Sequence, residues 1–140
     1  MASEPTTKVA VKVIATNDPS LPSLVLQVTQ MVDTYMLWVG TAENTEIGNG
    51  EKVVLGGNLC RDWACAMPPR VAGAASAATS LFRTSASDVA LPMAQRLAKR
   101  FKKQIFLSID IGTGIGQGDV LVLEAEKGIV AGLKEIEGSN

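Results

Sequence analysis

Arg96, Lys99, Arg100, Lys102 and Lys103 lie within one short stretch that contains no acid. Clustered guanidinium and ammonium groups recognise phosphates or carboxylates by charge-assisted hydrogen bonds. Three readings of the cluster compete: a solvated helix face, a docking surface for an acidic protein, and a nucleic-acid contact. Asp110 and Asp119 flank the run Gly112-Thr113-Gly114-Ile115-Gly116-Gln117-Gly118. Two carboxylates across a turn are raw material for a metal or an acid–base site, and the glycines invite a phosphate cradle. The spacing rejects the cradle. No G-x-G-x-x-G passes through the run, no Gly-Lys-Ser/Thr occurs, and strand-like residues follow where a helix is needed. Asp beside glycine is ordinary turn chemistry, so the segment reads as a mobile hairpin turn. Cys60 and Cys65, five positions apart, would point to opposite faces of a strand, and read as two buried thiols in a reducing compartment. Trp38 and Trp63 read as core or interface side chains.

Histidine is absent from the 140 residues. That removes Ser-His-Asp and Cys-His nucleophile systems, imidazole metal ligands and the commonest proton shuttle. No residue is nominated for catalysis, cofactor binding or metal ligation, and the chain is expected not to be an enzyme. The net charge of −1 gives no bulk attraction to nucleic acid or an acidic membrane. Aromatics are 4% of the residues, which counts against sites built on base or sugar stacking. The chain opens on no leader-like pattern and contains no apolar run long enough to span a bilayer, so neither secretion nor membrane insertion is expected.

The elements that must position these groups form one domain over 8–137, between a disordered stretch at 1–7 and a tail at 138–140. Lys8 to Thr16, Ser23 to Gln30 and Asp33 to Gly40 read as strands, the first two separated by the turn cluster Asn17-Asp18-Pro19-Ser20. Thr41 to Gly57, rich in glycine and charge, reads as a mobile loop insertion. Asn58 to Met67 is a fourth strand ending at Pro68-Pro69, and Thr79 to Phe82 a short extended piece. Ser85 to Lys103 is the clearest helix, with Ser85 and Asp88 resembling a capping box and Val89, Met93, Leu97 and Phe101 forming one stripe. Gln104 to Ile111 is a fifth strand, and Asp119 to Leu123 a sixth. Ile129, Val130, Leu133 and Ile136 space out a closing helix. The fold class is α+β, with about six mostly antiparallel strands and two helices.

Tyr35-Met36-Leu37-Trp38-Val39 is unbroken apolar sequence, and Leu24-Val25-Leu26, Ile105-Phe106-Leu107 and Val120-Leu121-Val122-Leu123 are nearly so. A sheet covered on one face alternates apolar with polar residues. These strands do not, so both faces must leave water. Two helices cover one face of six strands, and the second face is expected to be covered by a partner chain.

Several pieces occur in an order that resembles a known family. They are Leu37-Trp38-Val39-Gly40, Ala64-Cys65-Ala66-Met67-Pro68, Thr79-Ser80-Leu81-Phe82, and Met93-Ala94-Gln95-Arg96-Leu97-Ala98-Lys99-Arg100 running into Lys103-Gln104-Ile105-Phe106-Leu107-Ser108. Together they are similar to the eukaryotic proteasome assembly chaperone 4 family across Tyr35 to Asp110. The resemblance implies a non-catalytic protein without a cofactor. It implies a heterodimer with a proteasome assembly chaperone 3-like protein, and help in ordering the α-subunit ring of the 20S core particle. Tyr35, Leu37, Trp38 and Val39 on the apolar strand, and Arg96, Lys99, Arg100 and Lys103 on the helix, are the partner-binding candidates. The partners are that chaperone and proteasome α-subunits, with no nucleic acid and no membrane. The expected location is the cytoplasm, with the nucleus second. The competing readings are a dimerisation or scaffold module of another intracellular complex, and a nucleic-acid-binding domain using the basic helix.

Overall fold

A computed structural model describes residues 7–16, 20–42, 57, 61–83, 89–111 and 118–138. In chain order they form β1 (Lys8–Ile14), β2 (Ser23–Met31), β3 (Thr34–Ala42), β4 (Trp63–Ala66), β5 (Ala78–Phe82), α1 (Ala90–Phe101), β6 (Gln104–Asp110) and α2 (Gly118–Gly138). Outside the described residues lie the start of the expected N-terminal tail, the turn residues Asn17 to Pro19, the inserted loop apart from its first two residues and Gly57, the Ser85–Asp88 pair, most of the glycine run, and Cys60.

The strands form one sheet in the order β1-β2-β3-β6-β4-β5. Neighbours are antiparallel except β3 and β6, which run parallel. β2 and β3 are joined by Val32 and Asp33, and Asp33 takes φ 51°. Asp tolerates that left-handed conformation better than bulkier residues, so Asp33 belongs to the turn and not to the third strand. β6 is inserted between β3 and β4, which makes it a central strand, and Ile105, Leu107 and Ile109 are almost wholly buried.

One predicted strand is a helix. Asp119 to Leu123 was expected to be the sixth strand from its Val-Leu-Val-Leu run, but it forms the first turns of α2. Leu121 begins a buried stripe that continues through Ala125, Ile129 and Leu133, each four residues on. That period of burial overrides the β-branched local preference. The sixth strand is β5, from the segment read as a short extended piece. The fourth strand is also shorter than expected, since Arg61 and Asp62 precede the ladder.

Both helices lie on one side of the sheet. α1 buries Ala90, Met93, Ala94, Leu97, Ala98 and Phe101. Its last turn closes at Lys102, with φ 56° and an N–H donated to the Ala98 carbonyl at 2.9 Å. At the other end the cap comes from far away in sequence. Oδ2 of Asp62 accepts the N–H groups of Val89 (2.8 Å) and Ala90 (3.1 Å). The Asp62 carbonyl also accepts the Ile109 N–H at 2.8 Å. One buried aspartate thereby ties the start of β4 to α1 and to β6.

α2 packs close against the sheet at two glycines one turn apart. A Cβ at Gly128 would meet Cγ2 of Ile14 at 2.7 Å, whereas one at Gly132 would stand 3.3 Å from Cδ2 of Leu26. Lys12 and Glu135 pair at 3.0 Å beside this contact.

Candidate protein-docking surfaces

The register settles which side chains of the apolar strands face the helices. Leu24, Leu26 and Val28 of β2, Tyr35, Leu37 and Val39 of β3, and Ile105, Leu107 and Ile109 of β6 pack into one core with Met93, Leu97, Ile129 and Leu133. The alternate residues point away from the helices. They form rows running across the sheet. One row crosses all six strands as Val11, Gln27, Trp38, Ser108, Trp63 and Phe82. The next does so as Val9, Thr29, Met36, Phe106, Cys65 and Thr79. With strands spaced about 4.8 Å apart, each row spans about 24 Å.

Neither row contains a charged residue. Asp110, in the adjoining row beside Gly40, pairs with Arg61 at 2.8 Å. Val25, Trp38 and Ala42 are buried on this face, with Val11 packed against them. Gly57 lies on the Trp38 indole, so closely that an added Cβ would stand 2.9 Å from two ring carbons. Elsewhere on this face, among the described residues, Met36, Phe106, Trp63 and Cys65 are half-buried, and Phe82 is 45% exposed. Leu81, 43% exposed, is the extra residue of a bulge opposite Trp63 and Ala64. Cys65 is a free thiol that accepts a hydrogen bond from Gln104 Nε2 at 3.4 Å.

Of the four strand residues nominated for partner binding, Trp38 lies on the open face. Tyr35, Leu37 and Val39 do not. They are at most 1% exposed beneath the helices, and their role is to hold the domain together. The unbroken apolar run concealed the choice, because either parity was equally apolar. Met36, at i−2 from Trp38, was legible by alternation once Trp38 was placed outward; Phe106 and Trp63 needed the strand order.

The four basic candidates divide in the same way. Arg96, Lys99 and Arg100 are exposed on α1 and line a groove of about 750 Å³ between the helices. α2 contributes Glu126, Lys127, Val130, Ala131 and Lys134. Arg96 is engaged in a two-point pair with Glu126, at 2.6 and 3.2 Å. Lys103 stands apart, its Nζ 5.5 Å from the centre of the Tyr35 ring, a cation–π distance. The Tyr35 hydroxyl donates to Glu137 Oε1 at 3.3 Å. Burial, then the Glu137 charge and this hydrogen bond, push the Tyr35 pKa up to about 12. Asp119 sits in the first turn of α2, where its charge suits the helix dipole, and Asp110 is held by Arg61.

A single-layer sheet with both helices on one side, and two uncharged rows across the opposite face, defines a small α+β domain with a surface suited to binding protein. The same fold is found in a solved complex described as a novel chaperone complex for yeast 20S proteasome assembly. That likeness has a TM-score of 0.69 and 17% identity, covering 94% of this chain and 98% of the other. No curated protein matches the chain in sequence. The family model for proteasome assembly chaperone 4 matches residues 23–111, and the chain belongs to that family. The matched span runs from β2 to the end of β6 and so includes the four central strands, β5 and α1, and excludes β1 and α2. The role to which these observations point is in proteasome assembly.

Proposed function

We propose that this chain pairs through its open sheet face with a proteasome assembly chaperone 3-like protein, and that the pair promotes assembly of the α-subunit ring of the 20S core particle. The observation that carries the reading is the pair of uncharged rows across all six strands. Interface cores are depleted of charge and enriched in Trp, Phe and Met, which these rows supply. A flat sheet face of this kind suits a second sheet stacked on it about 10 Å away. Family membership supplies the process, and the yeast likeness is consistent with a chaperone acting as part of a complex. On this reading the work takes place in the cytoplasm, with the nucleus as the second location, and binding requires no cofactor.

Affinity purification of the tagged chain followed by mass spectrometry tests the proposal. The expected result is co-purification of a chaperone 3-like protein at one-to-one stoichiometry, with α-subunits recovered in smaller amount. Recovery of a different stable partner and no α-subunit would overturn it in favour of a scaffold role in another complex.

A further inference from the structure

We propose that the groove between α1 and α2 is a second docking site, which takes an acidic amphipathic helix from a protein partner. Its apolar lining is Val130 and Ala131, with the buried core residue Leu97 at its base. Its rim carries Arg96, Lys99, Arg100, Lys127 and Lys134 against one acid, Glu126, which is already paired with Arg96. Among the described residues, no carboxylate forms an ion pair with Lys99, Arg100, Lys127 or Lys134. Four uncompensated positive charges around an apolar trough are out of keeping with a chain whose net charge is −1.

The spacing selects the occupant. Lys127, Val130, Ala131 and Lys134 fall at i, i+3, i+4 and i+7, one face of α2 over about 10 Å. Arg96, Leu97, Lys99 and Arg100 line the facing wall on α1. An incoming helix with aliphatic residues at the same spacing can seat two turns on Val130 and Ala131, while carboxylates on its flanks reach the lysines and Arg100. That is helix-in-groove recognition with charge on the rim. A nucleic acid would use the charges, but it finds no aromatic side chain in the lining on which a base can stack. A lipid surface would meet a concave site, where a flat or protruding one is needed. The groove lies on the helix side, so a partner stacked on the open sheet face leaves it free. The chain can thereby hold two proteins at once, on opposite sides.

This inference deepens the chaperone reading by stating what an α-subunit would present, and for the partner's identity it rests on that reading. The chemistry is tested separately with a labelled synthetic helix of about five turns, with leucines at i, i+3, i+4 and i+7 and glutamates elsewhere. Fluorescence anisotropy with the full chain, in complex with its sheet-face partner where that is needed for solubility, gives the affinity. Reversing two rim charges, Lys99→Glu with Lys127→Glu, is expected to weaken binding roughly tenfold or more. Ala131→Trp, which keeps every charge and fills the trough, is expected to do the same. A peptide with serine in place of leucine, an RNA oligonucleotide and phosphatidylserine vesicles serve as alternative ligands. Equal binding of the serine peptide, tighter binding of RNA or vesicles, or unchanged binding by Ala131→Trp overturns the proposal. If the variants still capture α-subunits at the wild-type level, the groove assignment fails and the chaperone reading stands. If wild-type protein captures no α-subunit yet binds the leucine peptide in the groove, the chaperone reading fails and the groove stands.

Discussion

Asp62 shows how far one side chain can reach. Its backbone joins β6 and its carboxylate caps α1 across 27 positions of sequence. Removing the acceptor in Asp62→Ala leaves two N–H groups at the helix start without a partner. An unsatisfied buried donor costs about 1–3 kcal/mol, and the loss is expected near the upper end of that range by urea denaturation. Asn keeps one acceptor oxygen, so Asp62→Asn should lose less. This cap was not legible in the sequence, because capping motifs are local and this one is long-range. Tyr35 gives a pH signature. Its folded pKa of about 12 lies above the ordinary tyrosine value of 10.0, so the folded state keeps a proton that the unfolded chain releases. The corresponding stability is present in full below pH 10 and lost as pH rises towards about 12. The size is about 2–3 kcal/mol at most. The measurement that isolates this hydroxyl is the difference between wild type and Tyr35→Phe, which should narrow as pH climbs from 10 to 12. No narrowing would mean that the hydroxyl ionises in the folded protein as it does in water.

At the scale of elements, α1 was readable and the start of α2 was not, and the difference is physical. In α1 the four-residue stripe is the dominant pattern, and basic residues gather at its end. In α2 an apolar run of β-branched and aliphatic residues fits a strand equally well, and only the sheet beneath Leu121 selects the helix. The two glycines of α2 make a sharper test of how that helix seats. Replacing glycine by alanine inside a helix gains about 1 kcal/mol of intrinsic propensity. At Gly132 the new methyl stands 3.3 Å from a terminal carbon of Leu26, a contact that a small shift relieves. At Gly128 it would drive into the Ile14 side chain at several atoms, and overpacking of that kind costs about 1–3 kcal/mol. Gly132→Ala should therefore leave the melting temperature unchanged or raise it, and Gly128→Ala should lower it. The double substitution Gly128→Ala with Ile14→Val should recover part of the loss. If both glycines respond alike, propensity decides and the close approach carries no weight.

For the whole molecule, the sequence announced that both faces of the sheet are apolar, but not which residues belong to which face. That ambiguity is why Tyr35, Leu37 and Val39 were grouped with Trp38 although they are core. It also supplies the decisive experiment, since the two sets must respond differently to the same kind of substitution. Leu97→Ala, under the helices, empties a fully buried site and should cost about 2–5 kcal/mol of stability. Phe106 sits near the middle of an uncharged row and is half-buried, on the side of the sheet away from both described helices. Substituting Phe106→Lys places a flexible charged side chain whose head can reach water while the chain is alone. The isolated protein should then fold, and should be more soluble than wild type, because a charge interrupts the apolar patch. In the complex the same ammonium would be buried in an interface core without a counter-charge. Losses of about 2–4 kcal/mol at such central positions correspond to roughly thirty- to thousandfold weaker binding. Heterodimer formation should thus fail on size exclusion while the thermal midpoint of the isolated chain stays near wild type. Added salt should not restore it, because the lost term is desolvation and not long-range repulsion. By contrast, salt should weaken any docking at the groove between the helices, where the charges face solvent. A Phe106→Lys protein that still forms the wild-type dimer would move the interface off the sheet face, to the uncharged edge of β5 or to the helices.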